Sequence, residues 1–219
     1  MIKGILFDMD GLLLDTEKYY FKYWIKSAEE FGFSMKPHHA LAVRSLSSKY
    51  AEPYLKKSLG KDFDYYAVRA RRRELVHNAM NKYGVKLKPG ANELLKYCRE
   101  NNILTAVATA TPTENAKKHL EKVGIANMFS KIVGGDSIEN GKPAPDIYLK
   151  AANEIGLDTS CCIALEDSPN GIISAFSAGC KTVMIPDLTE PNEELKPLLY
   201  DCLPTLFSVI DILKREKGE

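Results

Sequence analysis

The sequence predicts an α/β fold, in which an all-helical segment interrupts a doubly wound and mostly parallel sheet. Three observations lead to this prediction. A short apolar run over residues 2–9 is typical of a buried strand. Residues 19–83 show helical patterns without a convincing strand. Beyond Gly90, strand-like apolar runs alternate with single helical patterns, which implies right-handed crossovers between parallel strands.

Composition narrows the possible classes of protein. The 219 residues carry a formal net charge of +1 at pH 7, which disfavours nucleic acid as the main partner. No apolar run approaches the roughly 20 residues of a membrane helix, so we expect no membrane partner. The five cysteines show no CxxC spacing and indicate a reducing compartment rather than a disulfide framework or a zinc site. We therefore expect a cytoplasmic protein and, by default, a monomer.

The helical segment is predicted to follow the first strand directly. Apolar residues recur at helical spacing over residues 20–31, and a second long helix is predicted over residues 65–80. The pair Pro89-Gly90 then marks a break in the chain. The predicted domains are a core formed by residues 1–15 and 88–219 and an inserted helical domain formed by residues 16–87.

After Gly90 the pattern predicts four strands and five helices. The strands are predicted over residues 104–108, 131–133, 162–165 and 182–185, and the helices over residues 91–100, 112–124, 146–155, 169–178 and 203–214. Thr111 and Ser168 are each followed by proline, which favours an N-cap with proline at the first helical position.

Polar side chains stand at the carboxyl ends of these predicted strands. They are Asp8 and Asp10 after the first strand, Thr109 to Thr111 after the second, and Glu166 and Asp167 after the fourth, with Lys142 in the preceding loop. In open α/β sheets, binding sites form beyond the carboxyl ends of the strands. We therefore expect the acids, the hydroxyl groups and the lysine to meet in one crevice.

Together these residues resemble the haloacid dehalogenase-like hydrolases, motif by motif. The motifs are Asp8-Met9-Asp10-Gly11, Thr109, Lys142 within Gly141-Lys142-Pro143-Ala144-Pro145-Asp146, and Glu166-Asp167-Ser168. The resemblance extends over the whole chain and is closest to the branch of β-phosphoglucomutases and small sugar-phosphate phosphatases. It implies a Rossmann-like core and a helical cap that closes over the site.

The resemblance also implies roles for the core residues. Asp8 would be the nucleophile and would take up a phosphoryl group as an aspartyl-phosphate. Asp10 would protonate the leaving oxygen and then deprotonate the attacking water. Thr109, the backbone N–H of Ala110 and Lys142 would hold the phosphoryl oxygens while their charge shifts.

Mg²⁺ is the cofactor that the resemblance implies, because this hard cation prefers oxygen ligands. Its implied ligands are Asp8, Asp167 and the backbone carbonyl of Asp10. Glu166 would be a direct ligand or, as we prefer, an acid that acts through water.

The cap would choose the substrate. Its predicted substrate-binding residues are Tyr20, Arg44, Ser45, Ser47 and Lys49. The mutases carry a histidine at the position of Tyr20 and Lys-Gly at the position of Arg44-Ser45, and they carry an arginine where this chain has Ser48, all of which disfavours mutase activity. For the basic run Arg69, Arg71, Arg72 and Arg73, we expect a solvent-exposed helix face rather than a substrate contact.

These inferences lead to a Mg²⁺-dependent phosphatase for a small phosphorylated metabolite, in particular a sugar phosphate. The alternative is a phosphosugar mutase, in which a substrate hydroxyl replaces water as the acceptor. A non-catalytic module that binds a phosphorylated metabolite is a third hypothesis, but such a module gains little from a nucleophile that faces an anion.

Overall fold

A six-stranded parallel sheet forms the core of the protein, as a computed structural model that describes residues 2–218 shows. The strands are β1 (Gly4–Phe7), β2 (Leu104–Thr109), β3 (Lys131–Gly134), β4 (Cys162–Glu166), β5 (Lys181–Met184) and β6 (Asp201–Cys202). Their order is β3-β2-β1-β4-β5-β6, and every neighbouring pair is parallel. The predicted doubly wound α/β fold with an inserted helical cap is therefore confirmed.

Helices cover both faces of this sheet. Along β1, Ile5 and Phe7 pack into one apolar cluster while Leu6 packs into a second, because successive side chains of a strand point to opposite faces. The core helices are α5 (Ala91–Glu100), α6 (Thr113–Lys122), α7 (Asp146–Glu154), α8 (Pro169–Ser177) and α9 (Val209–Lys217). Burial on both faces explains why the strands read as continuous apolar runs.

Four helices between β1 and α5 form the inserted segment. They are α1 (Glu17–Glu30), α2 (Pro37–Ala42), α3 (Ser48–Leu59) and α4 (Tyr65–Tyr83), and they surround an apolar cluster of their own that includes Trp24, Leu55, Phe63 and Tyr65. The two connections to the core lie side by side, since Leu14 bridges Leu87 and the N–H of Lys88 donates to Leu13. The division of the chain at residues 15/16 and 87/88 stays a prediction.

The structure departs from the predicted elements in a few places. The short strand β6 and the helices α2 and α3 were not predicted, and α3 holds Pro53 in its interior, where proline usually counts against a helix. The last helix begins at Val209 rather than near residue 203. None of the helices within residues 2–218 has the combination of length and apolar character needed to cross a membrane.

Candidate active site

Asp8 and Lys142 form the centre of the polar crevice at the carboxyl end of the sheet. Asp8 follows β1, and its Oδ1 lies 2.5 Å from Lys142 Nζ. Both side chains are buried. Burial raises the pKa of Asp8 to about 8, although the charge of Lys142 acts against this. Burial alone would lower the pKa of Lys142, but the charges of Asp8 and Glu166 outweigh it and raise that pKa.

Glu166, the last residue of β4, holds the lysine from the other side. Its Oε1 lies 2.5 Å from Lys142 Nζ and accepts a hydrogen bond from the Tyr148 hydroxyl at 2.6 Å. Its Oε2 accepts from the hydroxyl of Ser168 at 3.2 Å. Gly171 makes room for this carboxylate, since a Cβ atom there would lie 2.0 Å from it. Glu166 therefore aligns Lys142, which leaves it less free to act as a direct metal ligand.

Ser168 also serves as the predicted N-cap of α8. Its hydroxyl accepts from the N–H of Gly171 at 3.2 Å, and Pro169 occupies the first helical position. This cap fixes the turn that carries Glu166 and Asp167.

Asp167 is paired with a cation from the inserted segment. Arg44 donates to the Asp167 carboxylate and, at 3.2 Å, to its backbone carbonyl. The same guanidinium lies 3.6 Å from a Glu17 carboxylate oxygen and donates to the Thr189 hydroxyl at 3.1 Å. Arg44 was predicted to bind substrate. Protein groups hold its guanidinium, and only 3% of the residue is exposed. Arg44 also lines the cavity between the inserted segment and the core, so its predicted role in substrate binding stays a prediction.

The Asp10 carboxylate is held between two threonine hydroxyls. Thr16 donates to Oδ1 at 2.7 Å, and Thr111 donates to Oδ2 at 2.8 Å. The predicted N-cap role of Thr111 is wrong, because α6 begins two residues later and Asp136 accepts from the N–H of Thr113. The contact of Thr111 with Asp10 could not be read from the sequence, since it depends on how the ends of β1 and β2 are placed.

The other predicted phosphate-binding residues lie at the end of β2. Thr109 is buried, and its hydroxyl accepts from the N–H of Thr111 at 3.1 Å. Thr109 and Ala110 line the same cavity as Asp8 and Asp10. The structure thus brings together the core residues that the sequence singled out, while their catalytic roles remain proposals.

Three buried carboxylates could hold a metal ion. Asp8, Glu166 and Asp167 each offer an oxygen, and these oxygens lie within 4.8 Å of one another. Within residues 2–218, Asp8 Oδ2 and Asp167 Oδ1 have no hydrogen-bond partner although both atoms are buried. Lys142 and Arg44 supply two positive charges against three carboxylates. The unpaired oxygens and the excess negative charge therefore fit Mg²⁺.

A cavity of about 940 Å³ lies between the inserted segment and the core. Among the predicted cap residues, Tyr20, Arg44 and Ser45 line it. Ser45 has a φ of 56°, in the left-handed region that favours glycine. This φ fits the glycine that the mutases carry at that position.

Ser47 and Lys49 lie outside the cavity wall. The N–H of Ser47 donates to the carbonyl of Lys142 at 3.0 Å, and Lys49 Nζ donates to the Asn140 side chain at 2.9 Å. Both residues thus contact the core of the protein, and their predicted role in substrate binding stays a prediction. They follow the turn at Ser45, which directs them towards the Lys142 loop.

The arginine run is also placed differently from the prediction. Arg69, Arg72 and Arg73 line the cavity, whereas Arg71 pairs with Glu30 and Glu74 on the outside. The expectation of a solvent-exposed face is therefore met only in part. Arg73 is exposed and Arg69, Arg71 and Arg72 are half-buried, and helical spacing places Arg69, Arg72 and Arg73 on one side of α4.

The sequence profile of the haloacid dehalogenase-like hydrolases matches residues 5–185. The chain belongs to this family. It is 36% identical over 195 residues to "Probable pseudouridine-5'-phosphatase" of Drosophila melanogaster, with 83% of this chain and 80% of the relative covered. It is 29% identical over 182 residues to the phosphorylated carbohydrates phosphatase of Thermotoga maritima, with 83% and 84% covered. These findings confirm the predicted family and an enzyme that acts on phosphoric monoesters.

Solved structures of similar fold extend over the whole chain. The β-phosphoglucomutase of Clostridium difficile superposes with a TM-score of 0.83 at 21% sequence identity, covering 100% of this chain and 98% of that one. At this identity the likeness establishes the shared fold of core and cap.

Proposed function

We propose that the protein is a Mg²⁺-dependent phosphatase that hydrolyses a small phosphorylated metabolite, in particular a sugar phosphate, through an aspartyl-phosphate. One observation carries the proposal. Asp8 has one carboxylate oxygen held by Lys142 and the other, Oδ2, buried and without a hydrogen-bond partner within residues 2–218. A buried carboxylate with one free oxygen, at the wall of a cavity, suits a nucleophile.

In the first step Asp8 attacks phosphorus, and the bond between phosphorus and the ester oxygen breaks. Asp10 donates its proton to the leaving oxygen, so the alcohol departs neutral. In the second step Asp10 takes a proton from water, which attacks phosphorus and releases Asp8 and inorganic phosphate. Thr16 and Thr111 hold the Asp10 carboxylate in place for both transfers.

Asp8, Asp167 and the carbonyl of Asp10 would hold Mg²⁺, with Glu166 acting through water. When bound, the ion would supply positive charge that keeps Asp8 ionised and screens it from the anionic phosphate. Lys142 and Thr109 would hold phosphoryl oxygens as the charge develops. Lys142 is already aligned for this by Glu166.

The relatives support the proposed substrate class. The Thermotoga maritima relative is named a phosphatase of phosphorylated carbohydrates. The cavity of about 940 Å³ falls in the range of small-molecule sites. All five cysteines are free, which fits the proposed cytoplasmic location. We further propose a monomer in which residues 16–87 act as the cap domain.

Release of inorganic phosphate from a panel of sugar phosphates, measured with Mg²⁺ and with EDTA, tests the proposal. We expect Asp8→Asn to lower the rate at least about 10³-fold and EDTA to abolish it. Asp136→Asn is a matched control, since Asp136 is exposed and contacts Thr113. Undiminished release by Asp8→Asn would exclude the mechanism, and no release by the wild type would favour a binding module.

A phosphosugar mutase is the second candidate, because the fold is shared with β-phosphoglucomutase. Both activities begin with the same phosphorylation of Asp8 and differ in the acceptor. Formation of an isomeric sugar phosphate without phosphate release would establish the mutase. Tyr20, at the position of the mutase histidine, favours the phosphatase.

A further inference from the structure

Three arginines of α4 line the cavity from the side of the inserted segment. Arg69, Arg72 and Arg73 lie on one face of the helix, three and four residues apart. Arg71 lies on the other face, where it donates to Glu30 at 2.6 Å and to Glu74 at 2.8 Å. One run of sequence thus supplies both a paired surface arginine and a group of arginines that face the cavity.

The cavity-facing arginines are unpaired. Within the described residues 2–218, Arg69, Arg72 and Arg73 make no ion pair, and the Nε atom of Arg72 is buried without a hydrogen-bond partner. Burial lowers the pKa of Arg72 to about 10, so it keeps its charge at neutral pH. Arg72 as a whole is half-buried, and a cation with a buried, unpaired N–H group is stabilised by an anionic partner.

Two aromatic rings position Arg72. Its guanidinium lies 4.1 Å from the ring centroid of Trp24 and 5.3 Å from that of Tyr20. The N–H groups of a guanidinium lie in its own plane, so stacking on a ring leaves them able to donate at their edge. The stack therefore holds a charged, planar donor in the cavity wall.

The acids at the catalytic end of the cavity are already engaged. Glu17, also in the cavity wall, lies 3.6 Å from the Arg44 guanidinium. Asp10 is held by its two threonines, and Asp8 by Lys142. The cavity thus has a catalytic end, where cations and acids are paired, and a wall of unpaired arginines.

We propose that Arg72, together with Arg69, binds a second anionic group of the substrate, a carboxylate or a second phosphate. The preferred substrates would then be phosphate monoesters that carry another anion, rather than neutral sugar phosphates. This inference rests on the proposed phosphatase activity and specifies its substrate class. A planar guanidinium binds either anion in the same way, through paired N–H donors.

A matched series of substrates tests this inference. Glucose 6-phosphate has no second anion, 6-phosphogluconate adds a carboxylate, and glucose 1,6-bisphosphate adds a phosphate. In phosphate-release assays with Mg²⁺, we expect the wild type to favour one of the two doubly anionic substrates by about tenfold or more in kcat/KM. Which of the two is favoured distinguishes carboxylate from phosphate.

The variants Arg72→Gln and Arg71→Gln form a matched pair on adjacent positions. We expect Arg72→Gln to reduce the preference about tenfold, through a raised KM for the doubly anionic substrate, and Arg71→Gln to retain it. If Arg72→Gln lowered kcat/KM equally on all three substrates, the proposal would be overturned. The ratio of kcat/KM values of the wild type between substrates is measured without any variant. Equal kcat/KM values on the three substrates would therefore overturn the proposal even if Arg72→Gln did not fold.

Failure of this inference is distinguishable from failure of the proposed function. Release of phosphate from all members without preference contradicts only the second-anion site. No release from any phosphomonoester in the presence of Mg²⁺ contradicts the phosphatase itself.

Discussion

Arg44 of the inserted segment donates to both the carboxylate and the backbone carbonyl of Asp167 at the end of β4. One buried guanidinium thus joins the cap to the proposed metal site. Glu17 at the start of α1 and Thr189 beyond β5 contact the same group. This buried cation is therefore one of the contacts that hold the cap over the site, and its removal has measurable consequences.

Arg44→Met should destabilise the protein by about 3–5 kcal/mol, because it leaves Asp167 and Glu17 buried without their cation. Urea unfolding in EDTA measures this. Arg71→Met removes a half-exposed arginine that is ion-paired at the surface, and it should leave the urea midpoint of unfolding nearly unchanged. Equal midpoints for the two variants would show that the Arg44 contacts contribute little.

Thr111→Val should lower kcat by about 10-fold or more with little change in KM, because Asp10 loses a hydrogen bond that positions it for proton transfer. Thr16→Val should also lower kcat, because Thr16 donates to the other oxygen of the same carboxylate. Steady-state kinetics separate kcat from KM. Thr113→Val is the control, since its hydroxyl contacts Asp136 instead. A change confined to KM would argue against a positioning role.

Gly171→Ala should impair both stability and activity. The added Cβ would lie 2.0 Å from the Glu166 carboxylate, which must move away from Lys142 and Tyr148. We expect a loss of about 1–3 kcal/mol, as for other overpacked sites, together with a lower kcat. Ile173→Ala, on an exposed position of the same helix, is the control. Wild-type kcat in Gly171→Ala would show that Glu166 need not be aligned.

Glu17→Gln should change how stability depends on pH. Burial raises the pKa of Glu17 from 4.5 to about 7, although Arg44 opposes this. Between these values the unfolded chain releases the proton that the folded protein keeps, so the free energy of unfolding falls as pH rises. From pH 4.5 to above pH 7, the free energy of unfolding of the wild type should fall by about 3 kcal/mol relative to that of Glu17→Gln.

Urea unfolding in EDTA at several pH values checks this. Glu74→Gln, at an exposed position, should follow the wild type. Parallel pH profiles for the wild type and Glu17→Gln would mean that Glu17 titrates normally.

The sequence correctly predicted the order of the main elements. It also correctly predicted that the core site residues meet at one edge of the sheet. Asp8, Thr109 and Asp167 stand where parallel strands end, with Lys142 in a loop that reaches the same edge, and that edge follows from topology. The cap was less predictable. α3 runs through Pro53, and Ser47 and Lys49 contact the Lys142 loop rather than the cavity.

The sequence by itself determined the fold class and the family, because apolar periodicity and motif spacing are local properties of the chain. Only the tertiary structure decided which groups meet across the two parts. It joined Arg44 to Asp167, placed Thr111 on Asp10 and turned Arg72 into the cavity while Arg71 stayed outside. Such contacts depend on the packing of elements far apart in sequence, and a shift of one residue along a helix turns a side chain by about 100° around its axis.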